Sequence, residues 1–253
     1  MLAEIIIVNI ESEYLQEDFL GQEQETGRGE SLRHREMTEM TDEIAYADDK
    51  RISGHLEKHL GDGMVFDEIV SKRFHNDVHM IPPSEKYPFN ILVTSGMSAL
   101  PMNVPKGMPD RDSWAFAELC ILLPPDWPLD PESLRDERNY WPVRLLKDIA
   151  RLPHDYSTWL GWGHTVANGD PAAGYAADTE LSAALIIQPF ILDPEFFTIE
   201  GNPQIHIFQI LPLTAEELAF KREKGADELL GLFERDIGDS IYGPIDPSRK
   251  SAV

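Results

Sequence analysis

Trp114-Ala115-Phe116-Ala117-Glu118-Leu119-Cys120-Ile121-Leu122-Leu123 is the stretch on which the reading of the fold turns. Ten residues carry one charge, and the Pro- and Gly-rich segment from Pro101 to Pro109 punctuates the chain just before them. Such a run, set off by breakers, has the character of a strand. If the strand is central, the Glu118 carboxylate is at least partly buried and needs a partner, because an unpaired buried charge is costly. Two readings stand beside each other: a structural ion pair, or a functional acid in a cleft. The same run holds Cys120, the only cysteine. It has no partner for an internal disulfide and reads as an inert buried thiol in a reducing compartment.

Working outward, Met64 to Val70, Phe74 to Ile81 and Phe89 to Thr94 are further short strands, separated by Pro82-Pro83 and Pro88. This spacing suits a sheet built largely from sequence neighbours. A helix is expected from Thr41 to Leu60, with Ile52, Leu56 and Leu60 on one stripe and Gly61 and Gly63 as stops. The compact domain begins there. The residues before it, especially the polar Gln22 to Met40 with Gly27 and Gly29, read as a linker or a loosely attached helix.

After the central run, Pro142 fits the first turn of a helix whose Trp141, Leu145, Ile149 and Leu152 face the core. Its Arg144, Lys147 and Arg151 form a basic stripe, read as a solvated face. Leu181 to Ile187 and Ile205 to Leu211 are β-rich. Thr214 and Glu217 form a capping box with Leu213 and Leu218 as hydrophobic staple, Gly225 stops that helix, and Leu229, Leu230, Leu232 and Phe233 give the next its apolar face. The tail from Gly238 to Val253, with Pro244 and Pro247, reads as extended, and no internal repeat is found.

Composition bounds the function. The chain has 253 residues, 45 acidic against 22 basic side chains, a net charge of −23, 42% hydrophobic and 26% charged residues. That is enough apolar material for a sizeable core. A pI near 4.6 argues against a grip on nucleic acid or on an acidic membrane surface, both of which need clustered Lys and Arg. The charge serves solubility, or steers the chain toward a basic partner. The first residues make a poor signal peptide, and the apolar stretch from Leu181 to Phe197 is broken by Gln188, Pro189, Asp193, Pro194 and Glu195, so the reading is a soluble, cytoplasmic protein.

No complete catalytic motif is present. His55 and His59 have the i, i+4 spacing of zinc ligands, but Leu56 stands where a zinc peptidase carries its glutamate. His75, Asp77 and His79 alternate onto one strand face, as a second ligand set or simply a polar face would. In Thr94-Ser95-Gly96-Met97-Ser98 the nucleophile-elbow pattern fails at both serines. Gly161-Trp162-Gly163 lacks the third glycine of a dinucleotide loop, and no phosphate loop occurs. No metal and no cofactor are therefore expected. Trp159, Trp162 and His164 share a glycine-rich loop, where large rings serve a binding surface or cap the core.

These segments together resemble the Suppressor of fused domain in its bacterial single-domain form. The matching residues are Leu92 to Ser98 with Pro101-Met102, Ala117-Glu118-Leu119 running into Leu123-Pro124 and Trp127, and Trp141-Pro142 with Leu145-Leu146 and Ala150-Arg151. They continue through Thr158 to Gly161, Gly163-His164-Thr165, Phe208-Gln209-Ile210, Glu216 to Leu218, Gly225 and Leu229-Leu230. The resemblance covers roughly Ile52 to Phe233 and implies an α+β domain, a mixed and largely antiparallel central sheet flanked by helices, with the domain drawn at residues 41–237. It implies no catalysis. Animal members sequester transcription factors with the help of a second domain that this chain is too short to hold, and bacterial members look like immunity proteins against toxins. Where the animal form reads Gly-Asp-His, this chain has Trp162-Gly163-His164 and lacks the acid. The resemblance carries a binding role to Glu118, His164 and Thr165, to which the loop adds Trp162, with a basic protein such as a toxin effector as partner. The competing reading is a hydrolase or metal enzyme using Glu118 with His164, or His75, Asp77 and His79. It requires Glu118 and a histidine to converge in one pocket.

Overall fold

The structure, a computed structural model, describes residues 6–8, 31–32, 44–69, 71 and 73–253. In chain order its elements are β1 (Ile6–Val8), β2 (Ser31–Leu32), α1 (Asp49–Leu60), β3 (Met64–Phe66), β4 (Asp77–Ile81), β5 (Asn90–Ser95), β6 (Ala117–Leu123), α2 (Glu137–Asp155), β7 (Thr165–Ala167), β8 (Leu181–Ile187), β9 (Thr198–Ile199), β10 (Ile205–Thr214), α3 (Ala215–Lys224) and α4 (Ala226–Asp236). The strands form one sheet in the order β2-β1-β7-β8-β10-β6-β5-β4-β3, with β9 beside the start of β10. Its β10–β6 pair is parallel and the others are antiparallel. The fold is therefore α+β, with a mixed and mostly antiparallel sheet.

Every residue of β6 is buried, because helices cover both faces of the sheet at its centre. Leu119, Ile121 and Leu123 join Phe208, Ile210 and Ile186 under Trp141, Leu145, Ile149 and Leu152 of α2. The alternate residues Cys120 and Leu122, with Ile205 and Ile207, meet Ile52, Leu56 and Leu60 of α1. Farther along that second face Leu185, Leu211 and Leu213 pack on Leu218 of α3 and on Leu229, Leu230 and Phe233 of α4. One helix thus covers one face and three cover the other. Truncating any of these fully buried leucines would cost about 2–5 kcal/mol.

Local differences from the sequence reading have identifiable causes. Helix α1 starts at Asp49 rather than Thr41, since the Asp48 carboxylate accepts from the Arg51 amide and Ala45 instead pairs in parallel with Phe74. Residues 41–43 lie outside the described residues, as does Val70 of the expected Met64 to Val70 strand, which ends at Phe66. Trp114 closes a 3-10 turn, Arg111–Trp114, and the strand begins at Ala117. Helix α2 is capped by Asp136 and starts at Glu137, so Pro142 sits inside the helix instead of in its first turn.

Two readings of polar surface also change. The basic stripe of α2 is not a solvated face: Lys147 is buried, and both it and Arg151 pair with the Glu68 carboxylate, clamping the loop between β3 and β4 onto the helix. The tail is more than extended chain, because Asp239–Tyr242 is a 3-10 turn with Ile241 and Tyr242 buried, and Arg249 returns to Glu217. Of the first forty residues, Ile6–Val8 and Ser31–Leu32 are described, and both are strands beyond β7. The rest of the expected linker lies outside the described residues. No helix of the described chain is long and apolar enough to cross a membrane.

Candidate functional site

The β5–β6 ladder ends at the Val93–Cys120 pair, and there β5 turns away. Thr94 takes over with its side chain: its hydroxyl accepts from the Leu119 amide at 2.8 Å and donates to Glu118 Oε2 at 2.6 Å. The chain then bends through Gly96 into a 3-10 turn, Met97–Ala99. That bend leaves backbone donors buried, and Glu118 collects them. Its Oε1 accepts from the amides of Gly96 (2.9 Å) and Ser98 (3.0 Å) and from the Ser98 hydroxyl (2.6 Å), while Met97 N lies 3.3 Å from Oε2. From the other side His154 of α2 donates its Nε2–H to the Met97 carbonyl at 2.9 Å.

Glu118 is fully buried, as its place in the strand implies, but its partners are donors rather than a cation. Burial pushes its pKa up, and the Ser98 and Thr94 hydroxyls with the Gly96 and Ser98 amides pull it back. Both oxygens face donors alone, which suits the carboxylate, an acceptor-only group. Gly96 is required by space: a Cβ would stand 2.1 Å from the His75 carbonyl oxygen. Thr94 to Ser98 and Glu118, two of the stretches that carry the family resemblance, are therefore one hydrogen-bonded unit.

His164 and Thr165 lie at the start of β7, both buried. The His164 Nδ1 accepts from the Gly161 amide at 3.2 Å, and its ring stands edge-on to Trp159 with centroids 4.4 Å apart. Burial, reinforced by the Lys221 cation, pushes this imidazole down to about 3, against a bond to the Trp159 backbone that raises it. It is neutral at physiological pH. Trp159 lies so close over Gly161 that a Cβ there would meet its ring at 2.5 Å. The Thr165 hydroxyl oxygen is buried without a hydrogen-bond partner among the described residues. Trp162, in contrast, keeps 37% of its surface in solvent.

Glu118 on β6 and His164 at β7 are separated by β10 and β8. Three inter-strand steps separate them by at least about 14 Å, and each spends its polar atoms on its own neighbourhood. They do not converge on one reacting atom, as the acid–base reading requires. Thus Trp162 alone of the four sequence-derived binding residues presents its side chain to solvent. Glu118, His164 and Thr165 support the surface from within.

Of the histidine candidates, His75 and His55 likewise hold hydrogen-bond partners. The His75 Nε2 stands 2.9 Å from Asp77 Oδ1 and its Nδ1 2.8 Å from the Ser71 hydroxyl, so both ring nitrogens are used. His79 is pushed down chiefly by burial, with Asp77 and Asp49 opposing. The His55 Nε2–H donates to the Phe196 carbonyl at 3.0 Å, and its ring packs 4.5 Å from that of His59. Among the described residues no group of three His, Cys, Asp or Glu could hold a metal ion. Cys120 is a free buried thiol whose pKa burial raises.

Residues 73–250 match the family described as Suppressor of fused protein (SUFU). A search of curated proteins finds no match. Among solved structures, the SUFU homologue from Neisseria gonorrhoeae FA 1090 aligns with a TM-score of 0.57 at 19% identity, covering 81% of this chain and 96% of that one. The Sufu–Fu complex aligns at 0.55 and 16% identity, over 82% of this chain and 93% of that one. Drosophila Suppressor of Fused aligns at 0.57 and 16% identity over 82% of this chain. There the chain spans 52% of the other's length. At these identities the likeness is one of fold.

Proposed function

The chain belongs to the Suppressor of fused protein family, and on that premise we propose that it acts by binding a basic protein partner and occluding it, as an immunity protein does a toxin effector. The observation that carries the reading is the division of labour around His164. The buried histidine packs edge-on against Trp159, while Trp162, two residues before His164, stays in solvent as an aromatic anchor. The buried acid Glu118 is committed to the Thr94–Ser98 turn, so the reading needs no catalysis. A relative of the same fold is seen with a protein, Fu. A net charge of −23 steers a basic partner toward the surface.

The test is capture of the product of a neighbouring toxin-like gene by the purified chain, followed by kinetics of the complex. Added salt should slow association, and Trp162→Ala should speed dissociation by about tenfold or more with the fold unchanged. Absence of a complex, together with turnover of a small substrate that Glu118→Gln abolishes, would replace the binding reading with the enzyme.

A further inference from the structure

The last residues of the chain are held as a bound ligand is held. Up to Ile245 the chain is anchored by burial: Ile241, Tyr242 and Ile245 are inside, and the Ile245 amide donates to the Leu122 carbonyl at 2.9 Å. Residues 246–253 belong to no helix or strand. Part of their backbone is spent on their own turn, with the Arg249 amide on the Asp246 carbonyl and the Ser248 amide on the Asp246 carboxylate. Val253 is 45% exposed.

What fixes this segment is one arginine. The Arg249 guanidinium lays Nη1 on Glu217 Oε1 and Nη2 on Oε2, the latter at 2.8 Å. Its Nη2 also donates to the Pro212 carbonyl at 3.1 Å, and the group lies 5.5 Å from the centre of the Phe233 ring. Glu217 is fully buried, and its Oε1 takes the Ala252 amide as well, at 3.0 Å. A carboxylate met by a planar fork, a further acceptor beside it and an aromatic ring against it make a site for guanidinium rather than ammonium. The other contacts are slighter. The Lys250–Glu180 ion pair lies in solvent, and the Thr179 hydroxyl donates to the Pro247 carbonyl at 2.7 Å. Lifting the segment therefore exposes little apolar surface but strips a buried carboxylate of its cation, which is costly. Another arginine entering the same fork restores those bonds.

We propose that Glu217, the Pro212 carbonyl and Phe233 form a docking site for an arginine-bearing segment of a basic partner protein, and that Arg249 fills this site in cis until the partner's arginine exchanges for it. Glu180 offers a second acid to a lysine that follows the arginine, as it does to Lys250. The proposal rests on the function above for the basicity of the partner. It uses another surface, since Thr179 and Glu180 precede β8, whereas the turn that carries Trp162 bonds to Ile186 near the end of that strand. The same segment of a second copy is disfavoured as occupant, because that copy brings a further −23 to the contact.

The probe is an acetylated, amidated peptide of the segment's own sequence, Asp-Pro-Ser-Arg-Lys-Ser-Ala-Val, titrated by calorimetry into the full-length chain and into its Arg249→Ala variant. The variant should bind it with a Kd of about 0.1 mM or tighter, and its urea midpoint should rise when the peptide is present. The native chain should bind at least about tenfold more weakly, because its own segment competes at an effective concentration near the millimolar range. A peptide with lysine for its arginine should lose at least about tenfold on the variant. Arg249→Lys, which keeps the charge and loses the fork, gives the same readings if Arg249→Ala fails to fold. The variant, its site open, should also bind the captured toxin-like product at least about tenfold more tightly than the native chain. Silence of both variants, equal binding by variant and native chain, equal binding of the lysine peptide, or unchanged affinity for the captured product would overturn the proposal. So would sedimentation that shows a native dimer dissolved by Arg249→Lys, which makes a second copy the occupant. Capture of the product with the peptide silent overturns this inference alone, and peptide binding without capture overturns only the function proposed above.

Discussion

The Glu118 carboxylate and the Thr94 hydroxyl meet at 2.6 Å where two central strands part. Glu118→Leu fits the apolar run around it and leaves three buried amides and two hydroxyls without their acceptor. The expected loss is at least about 3 kcal/mol, read as a fall in the urea midpoint with an unchanged slope. Glu118→Gln should also destabilise, because its amide group turns a donor toward donors. A midpoint equal to that of the native chain would remove this residue from the account of the fold.

Acid should weaken the protein through its buried histidines. Burial holds His154 at about 4, with its bond to the Met97 carbonyl opposing, and His164 at about 3. Both stay neutral when folded but take a proton on unfolding below about 6.5. Their contribution is full above pH 6.5 and is lost as pH falls toward 4 and 3, at about 1.4 kcal/mol per unit for each group. His154→Phe should remove about one proton from the pH dependence of unfolding. A slope unchanged by that variant would show that His154 does not carry the effect.

Glu217 binds two parts of the chain at once. It closes the capping box, with the Thr214 amide 2.9 Å from Oε2 and its own amide 3.3 Å from Thr214 Oγ1, and the same carboxylate receives Arg249 and the Ala252 amide. Thr214→Ala should cost about 0.5–2 kcal/mol. Arg249→Met, which strips a buried carboxylate of its cation, should cost about 3–5 kcal/mol. Equal effects, measured by chemical unfolding, would mean that the tail contributes nothing beyond the cap.

The loop ahead of β4 should open when its clamp is cut. Glu68→Gln leaves Lys147 and Arg151 without their shared carboxylate, and hydrogen exchange should accelerate across residues 67–69 and 73–77 while the amides of β6 remain protected. Acceleration spread over the whole sheet would instead assign Glu68 to global stability.

Elements set by neighbours along the chain are legible in the amino-acid sequence itself. The capping box needs residues three apart, the stripe of Ile52, Leu56 and Leu60 needs a helical period, and the runs 181–187 and 117–123 need only their composition. The burial of Glu118 follows from its place in an apolar strand. Its partners do not, for they stand 20–24 residues away at the end of a ladder whose register is fixed only on folding. Pairing of the α2 stripe is of the same kind: Arg151 reaches a glutamate 83 residues earlier in the chain. The candidate site shows the division most clearly. Sequence gathers Trp162, His164, Thr165 and Glu118 as chemistry worth attention, since side-chain type is local. Which of them meets solvent depends on strand order, because two intervening strands separate His164 from Glu118 and helices cover the sheet around both. Periodicity determines which face of an element is apolar; only the packed sheet determines what lies against that face.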